Sequence, residues 1–247
     1  MQPYPELTSQ SRQVHTVTDR FSIANTYLIN GEHLAIVDPG SELNVRLMLT
    51  YLRDVLHRAP DEIDLIVLTH LHADHTAGVG LLHRVSHAPV AASIAARQLA
   101  IEETQGKQGM PGITYLAGEV LKQKTLPATL QHLDLFPPQY AKQVGLIDLW
   151  LEDVAGLPYH PDWRVVASPG HTPESICLYN PFSFELLCGD TVITVAGGAP
   201  LLRGARNRRQ VAETLRMLRT LEVHYLYPGH GRPILARRPL ANAAVEW

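Results

Sequence analysis

Cysteine is almost absent: Cys177 and Cys188 are the only two in 247 residues. No C-x-x-C pair exists, so a cysteine-built zinc site is excluded. A disulfide between the two has no support in the sequence, and both read as small core residues of neighbouring strands. A basic balance is also missing. Lys and Arg number 21 against 24 Asp and Glu, a formal net charge of −3, which disfavours nucleic acid as a partner. The one local excess, Arg203, Arg206, Arg208 and Arg209, reads either as the solvated start of a helix or as a patch for an anion or partner. Residues 1–20 show no charged start followed by an apolar run, and no stretch approaches the ~18 apolar residues of a membrane span. The expectation is a soluble, cytoplasmic protein that does not engage a membrane. No short-period repeat and no low-complexity segment interrupts it.

What is present is a large apolar fraction, 45% of residues, enough for a core without staples. The length suits a single layered α/β domain over 1–247. Val14 to Thr18, Ile23 to Asn30 and Leu34 to Val37 are short runs rich in β-branched residues, and the spacing predicts antiparallel strands. Leu43, Leu47, Met48, Tyr51, Leu52 and Val55 recur at helical spacing, predicting a helix over Glu42 to His57. Asp64 to Leu68 is a continuous apolar run, expected to be a strand covered on both faces. Helices are expected over Ala77 to Ser86 and Ser93 to Glu103, with a strand at Pro89 to Ala92 between them. Residues 105–146 are polar and broken by Pro111, Pro127, Pro137 and Pro138, and read as a helical insertion that caps a pocket or forms a dimer interface. Strands resume at Leu149 to Leu151, Val165 to Ser168, Ser175 to Tyr179 and Phe184 to Cys188. Asn207-x-x-Gln210 is a capping-box pattern opening a helix to Leu221. A last apolar run covers Val223 to Tyr227. Two mixed sheets face to face with helices outside satisfy this order.

Chemistry concentrates in residues 69–75, Thr-His-Leu-His-Ala-Asp-His. Imidazole nitrogen and carboxylate oxygen are the donors that borderline divalent metals prefer. In an extended segment, residues two apart share a face, so His70 and His72 can serve one ion. A tight turn after them brings Asp74 and His75 to a second. Three further candidates follow apolar strands beside glycines: His171 in Pro-Gly-His-Thr-Pro, Asp190 in Cys-Gly-Asp-Thr, and His230 in Pro-Gly-His-Gly. Glycine there lets the backbone bend and approach closely. Asp38 in Val-Asp-Pro-Gly reads either as a turn former or as a group that orients a ligand histidine.

His-x-His-x-Asp-His, then Pro-Gly-His, Gly-Asp and Pro-Gly-His-Gly, in this order, resemble the metallo-β-lactamase superfamily from about residue 13 to 235, the middle insertion excepted. The resemblance implies an αββα four-layer sandwich with a metal pair at one sheet edge. It implies that His70, His72 and His171 hold the first ion, that Asp74, His75 and His230 hold the second, and that Asp190 bridges them. The expected cofactors are two divalent ions, zinc by donor type, with Mn2+ or Fe2+ also compatible. Two ions ~3.5–4 Å apart share a hydroxide that attacks a small-molecule substrate, with Asp74 as the catalytic carboxylate that orients it and passes its proton. The first expectation is hydrolysis of an ester, thioester or lactone. The alternatives are a phosphodiesterase or ribonuclease of the same fold, and a mononuclear iron persulfide dioxygenase-like oxidoreductase. Tyr115, Phe136 and Tyr140 are expected either to line an apolar substrate site or to pack the insertion onto the sheet. A homodimer is compatible with the insertion.

Overall fold

A computed structural model describes residues 13–18, 24–105, 140–194, 198–203 and 207–246. Strands β1 (Val14–Val17), β2 (Thr26–Asn30), β3 (Leu34–Val37), β4 (Ile63–Leu68), β5 (Val90–Ser93) and β6 (Leu149–Leu151) form a six-stranded sheet in that order. Its first three strands are antiparallel neighbours and its last four run parallel. A second six-stranded sheet has the order β14 (Ile234–Leu235), β13 (Tyr225–Pro228), β10 (Glu185–Gly189), β9 (Ile176–Asn180), β8 (His160–Ala167) and β7 (Gly156–Leu157). Only β13 and β10 are parallel in it. A small third sheet, β11 (Ile193–Thr194), β12 (Pro200–Arg203) and β15 (Ala244–Glu246), has no counterpart in the sequence reading. Its strands are too short to carry a period.

Side-chain alternation turns these strands into four layers. Leu34, Ile36, Ile66 and Leu68 face one core, and Ala35, Val37, Leu65 and Val67 face another, the two-residue period of a sheet buried on both sides. The first core is roofed by α1 (Glu42–Tyr51), α3 (Val79–Ser86) and α4 (Ile94–Thr104), through Val45, Met48, Val79, Leu82 and Ala96. The second lies between the two large sheets, where Trp163, Val165, Ile176, Leu178 and Leu187 meet the inner face of the first. On the far side, Cys177, Leu186 and Cys188 pack against Val211, Leu215 and Leu218 of α6 (Arg208–Leu218). The result is the expected αββα sandwich. Both cysteines are buried thiols on neighbouring strands.

Local signals hold at three of the six described helix starts. Ser41 Oγ accepts from Asn44 N at 3.1 Å, and Asn207 Oδ1 accepts from Gln210 N at 3.1 Å, each satisfying an orphan donor. Three ends differ from expectation. The first helix widens into a π-turn over Leu52–Leu56 and stops at His57, whose left-handed φ of 54° ends it. The segment expected as a plain turn before α3 contains one helical turn, α2 (Ala73–Thr76). The last helix closes at Leu218 rather than Leu221. Of the proposed insertion, the structure describes its C-terminal part, α5 (Tyr140–Gln143) and a 3-10 turn at Val144–Leu146. Tyr115 and Phe136 lie outside the described residues, as does Arg206. Among the described residues, no helix is long and apolar enough to cross a membrane.

Candidate metal centre

All seven candidate residues follow the C-terminal ends of strands on one edge of the sandwich. His70 and His72 follow β4, His171 follows β8, Asp190 follows β10 and His230 follows β13. Asp74 and His75 ride on α2, whose single turn aims both back toward that edge. The edges of the two sheets are tied there: Ile176 N donates to Thr69 O at 2.9 Å, and Asn25 N to Gly229 O at 2.7 Å. Two glycines make the approach feasible. A Cβ on Gly229 would run into Asp190 Oδ1 and the Gly189 backbone. One on Gly189, at a φ of 45°, would strike the Thr69 side chain.

The donors converge in two groups. In the first, His72 Nδ1 lies 3.1 Å from His70 Nε2 and 3.0 Å from His171 Nε2. Asp190 Oδ2 stands 3.5 Å from His171 Nε2 and 3.9 Å from His70 Nε2. In the second, His75 Nε2 and His230 Nε2 are 3.4 Å apart, with Asp74 Oδ2 3.7 Å and 3.3 Å from them. Asp190 reaches this group too: Oδ1 is 3.3 Å from His75 Nε2 and Oδ2 is 2.9 Å from His230 Nε2. Asp190 and four of the five histidines are at most 6% exposed, whereas the Asp74 side chain is 36% exposed. Asp74 therefore stands at the mouth.

Asp38 resolves its two readings by doing both. It takes a left-handed φ of 51° before Pro39, and its carboxylate is buried in the centre's base. Oδ1 accepts from Thr69 N at 2.8 Å; Oδ2 accepts from Thr69 Oγ1 at 2.6 Å and faces His75 Nδ1 at 3.0 Å. Thr69 Oγ1, its proton given to Asp38, accepts from His70 Nδ1 at 3.1 Å. One carboxylate thereby holds His75 directly and His70 through Thr69, leaving both Nε2 atoms for the centre.

The electrostatics follow from three buried or half-buried carboxylates among histidines. Burial disfavours the His75 imidazolium, yet Asp190, Asp74 and Asp38 outweigh it and hold His75 well above the usual range. His230 follows the same balance: burial opposes its charge, Asp190 and Asp74 favour it, and it is pushed up to about 10. His70 moves the other way, lowered by burial and by the neighbouring His75. Burial would raise Asp74, but His75 and His230 bring it down to about 2.

These residues fit divalent metal. A neutral imidazole has one N–H, so His72 Nδ1 cannot share a proton with both of its imidazole neighbours, and one contact sets lone pair against lone pair. Asp190 Oδ1 is buried 3.3 Å from His75 Nε2 but makes no well-formed hydrogen bond among the described residues, a cost that a cation removes. The groups His70, His72, His171 and Asp190, and Asp74, His75 and His230, each bring one donor atom per residue within 4.8 Å of the others. Asp38, His70 and His75 also cluster, but the Asp38 oxygens are already engaged by Thr69 and His75.

Supporting residues the sequence reading did not single out hold the ligand loops in place. Asn25 Nδ2 donates to Pro228 O at 2.9 Å and Gly231 O at 2.8 Å, bracketing His230. Glu174, at 1% exposure, accepts from Leu71 N at 3.3 Å, between His70 and His72. A carboxylate directly before an apolar strand was the visible signal for Glu174; Asn25 offered none. Tyr140 is buried with its hydroxyl donating to Glu174 Oε2 at 2.8 Å, so it packs the fold rather than lining a substrate site.

Comparison with known proteins finds relatives named as metallo-hydrolases. The chain is 25% identical to the probable metallo-hydrolase YflN of Bacillus subtilis, over 95% of this chain and 93% of that protein. It is 26% identical to the probable metallo-hydrolase MJ0888 of Methanocaldococcus jannaschii, over 84% and 87%. Among solved structures, the Sulfolobus tokodaii protein ST1585, described as an archaeal metallo-β-lactamase superfamily protein, superposes with a TM-score of 0.60 at 18% identity, covering 93% of this chain and 83% of that one. TTHA1623, solved in a di-iron-bound form, gives a TM-score of 0.57 at 22% identity, covering 90% and 94%. The model of the metallo-β-lactamase superfamily matches residues 19–230, which takes in every candidate ligand: the chain belongs to the metallo-β-lactamase superfamily.

Proposed function

We propose that the protein is a dinuclear metal-dependent hydrolase that cleaves an ester, thioester or lactone bond in a small molecule. The observation that carries this reading is the place of Asp190, whose carboxylate stands 3.5 Å from His171 of one group and 2.9 Å from His230 of the other. His70, His72 and His171 would hold one ion, Asp74, His75 and His230 the other, and Asp190 both. Zinc suits the nitrogen-rich donors; the di-iron form of TTHA1623 makes iron the second metal to test. When bound, such a pair lowers the pKa of water toward ~7 and polarises a carbonyl oxygen.

The chain's own residues supply the rest. The Asp74 side chain is 36% exposed against 6% for His171, and it remains a carboxylate at neutral pH because His75 and His230 outweigh its burial. It is the group placed to orient an attacking water and accept its proton. Asp38 and Thr69 keep His75 and His70 aimed while charge shifts at the centre. A net charge of −3, from 21 basic against 24 acidic residues, favours a small substrate over a polyanion.

The test is a hydrolysis panel on zinc- and manganese-reconstituted protein: an aryl ester, a thioester, several lactones and an aryl phosphodiester, each beside Asp190→Ala. Turnover of acyl substrates that vanishes in Asp190→Ala is expected. Turnover of the phosphodiester alone, or none with metal bound, would overturn the acyl reading.

A further inference from the structure

The Leu71 peptide, between His70 and His72, lies outside any helix or strand, so no ladder satisfies its N–H and C=O. Side chains from two distant segments do so instead. Glu174 Oε1 accepts from Leu71 N at 3.3 Å. On the other side, Gln143 Nε2 donates to Leu71 O at 2.8 Å and to Thr76 Oγ1 at 3.1 Å. Thr76 closes the helical turn that carries Asp74 and His75. Tyr140, one turn before Gln143 on α5, donates to Glu174 Oε2 at 2.8 Å, so the two grips are joined into one strut.

The strut is held at a cost. Glu174 is a carboxylate at 1% exposure, its pKa raised by burial. Among the described residues, Gln143 Oε1 is buried with no hydrogen-bond partner. Two penalties of this kind beside one loop mark a position chosen for its geometry rather than for stability. The Leu71 side chain, 1% exposed, is seated in the helix-side core. With side chain and both peptide faces held, the residue that separates the two imidazoles has no freedom to rotate.

We propose that Glu174, Tyr140 and Gln143 are positioning residues that clamp the Leu71 peptide and so set the convergence of His70 and His72 on their ion. The inference rests on the reading of His70 and His72 as metal ligands. None of the three residues is itself a ligand. Their action runs through the backbone, which distinguishes them from Asp38 and Thr69, which act on the imidazole rings.

The experiment is stepwise loading of metal-free full-length protein with Co2+, read by visible absorption and by competition with a chromophoric chelator. Wild type is compared with Glu174→Gln, Glu174→Leu, Tyr140→Phe and Gln143→Met, and thermal melts of the metal-free proteins are recorded in parallel. Glu174→Leu and Gln143→Met are expected to weaken one equivalent of Co2+ by about 10- to 100-fold, the range for losing an outer partner, and to shift its absorption. In Glu174→Leu the other equivalent should be affected far less, whereas Gln143→Met, which also releases Thr76 Oγ1 on the turn carrying Asp74 and His75, should weaken it as well. Glu174→Gln keeps an acceptor for Leu71 N and should restore most of the affinity. If the variants lower the melting temperature while both affinities and the spectrum match wild type, the strut only supports the fold and the inference falls. Should Glu174→Leu fail to fold, Tyr140→Phe and Gln143→Met decide the matter by the same readout. Wild type that binds no Co2+ would sink the metal reading, and this inference with it.

Discussion

Asp38 shows how much one buried carboxylate organises. It bonds Thr69 twice and faces His75, and through Thr69 Oγ1 it also fixes His70. Asp38→Asn keeps the shape but replaces one acceptor oxygen with a donor. Metal affinity is expected to fall by about 10- to 100-fold, measured by chelator competition; unchanged affinity would assign Asp38 to the turn alone. Asp74 is the converse case, half-exposed and held as a carboxylate. Asp74→Ala should lower turnover by orders of magnitude, and full activity with both metals bound would remove it from proton transfer. The seven candidate residues were legible because polar ligands after apolar strands break the local pattern. Gln143 and Asn25 were not, and Glu174 only as a carboxylate before an apolar strand, because their backbone partners lie 72 to 206 positions away, and no local spacing records that.

At the level of loops and strands, the centre is assembled by reciprocal ties between the halves of the chain. Asn25, just before β2, brackets the His230 loop; Glu174, just before β9, holds the His70 loop. Asn25→Ala removes bonds to Pro228 O and Gly231 O; Pro228 O keeps its bond from Tyr27 Oη and Gly231 is exposed, so the loss is that of the bonds themselves, about 0.5–1.5 kcal/mol each. A denaturant melt should show that loss; a shift near zero would mean water replaces the amide. Most strands of the two large sheets and their helices were foreseeable from period and caps, the short edge strands β7 and β14 excepted. Their ends were not: the π-turn at Leu52–Leu56, the helical turn at Ala73–Thr76 and the third sheet depend on contacts rather than on propensity. The helical turn matters most, since it turns Asp74 and His75 toward a common point.

Across the whole molecule, the sandwich presses three carboxylates and five histidines onto one edge, and the balance of charge there couples stability to pH. In metal-free protein, His230 has its pKa raised from 6.5 to about 10. A raised folded-state pKa stabilises fully below the unfolded value and loses that contribution as pH climbs through the folded one. Melting temperature of chelator-treated protein should therefore decline from pH 6.5 toward 10. Metal takes over the role of the imidazolium charge, so reconstituted protein should be more stable and flatter over that window. A flat metal-free profile would show that His230 carries no such proton. Farther in, Trp163 is 1% exposed between the two sheets, and Trp163→Ala is expected to cost about 3–5 kcal/mol in a denaturant melt without altering the first Co2+ spectrum.

The sequence alone specifies the donor types, their order along the chain and the alternating strands that carry them, because these depend on neighbours within a few residues. It also specifies the layered class, since strands apolar on both faces require covering on both sides. The fold decides what the spacing cannot. It makes Asp190 common to two groups of ligands, turns Asp38 from a loop residue into the anchor of two imidazoles, and sends Tyr140 to Glu174 rather than to a substrate. Each of these is a contact between segments far apart in the chain, and such contacts exist only after burial of the two sheets against each other has paid the entropy of bringing those segments together.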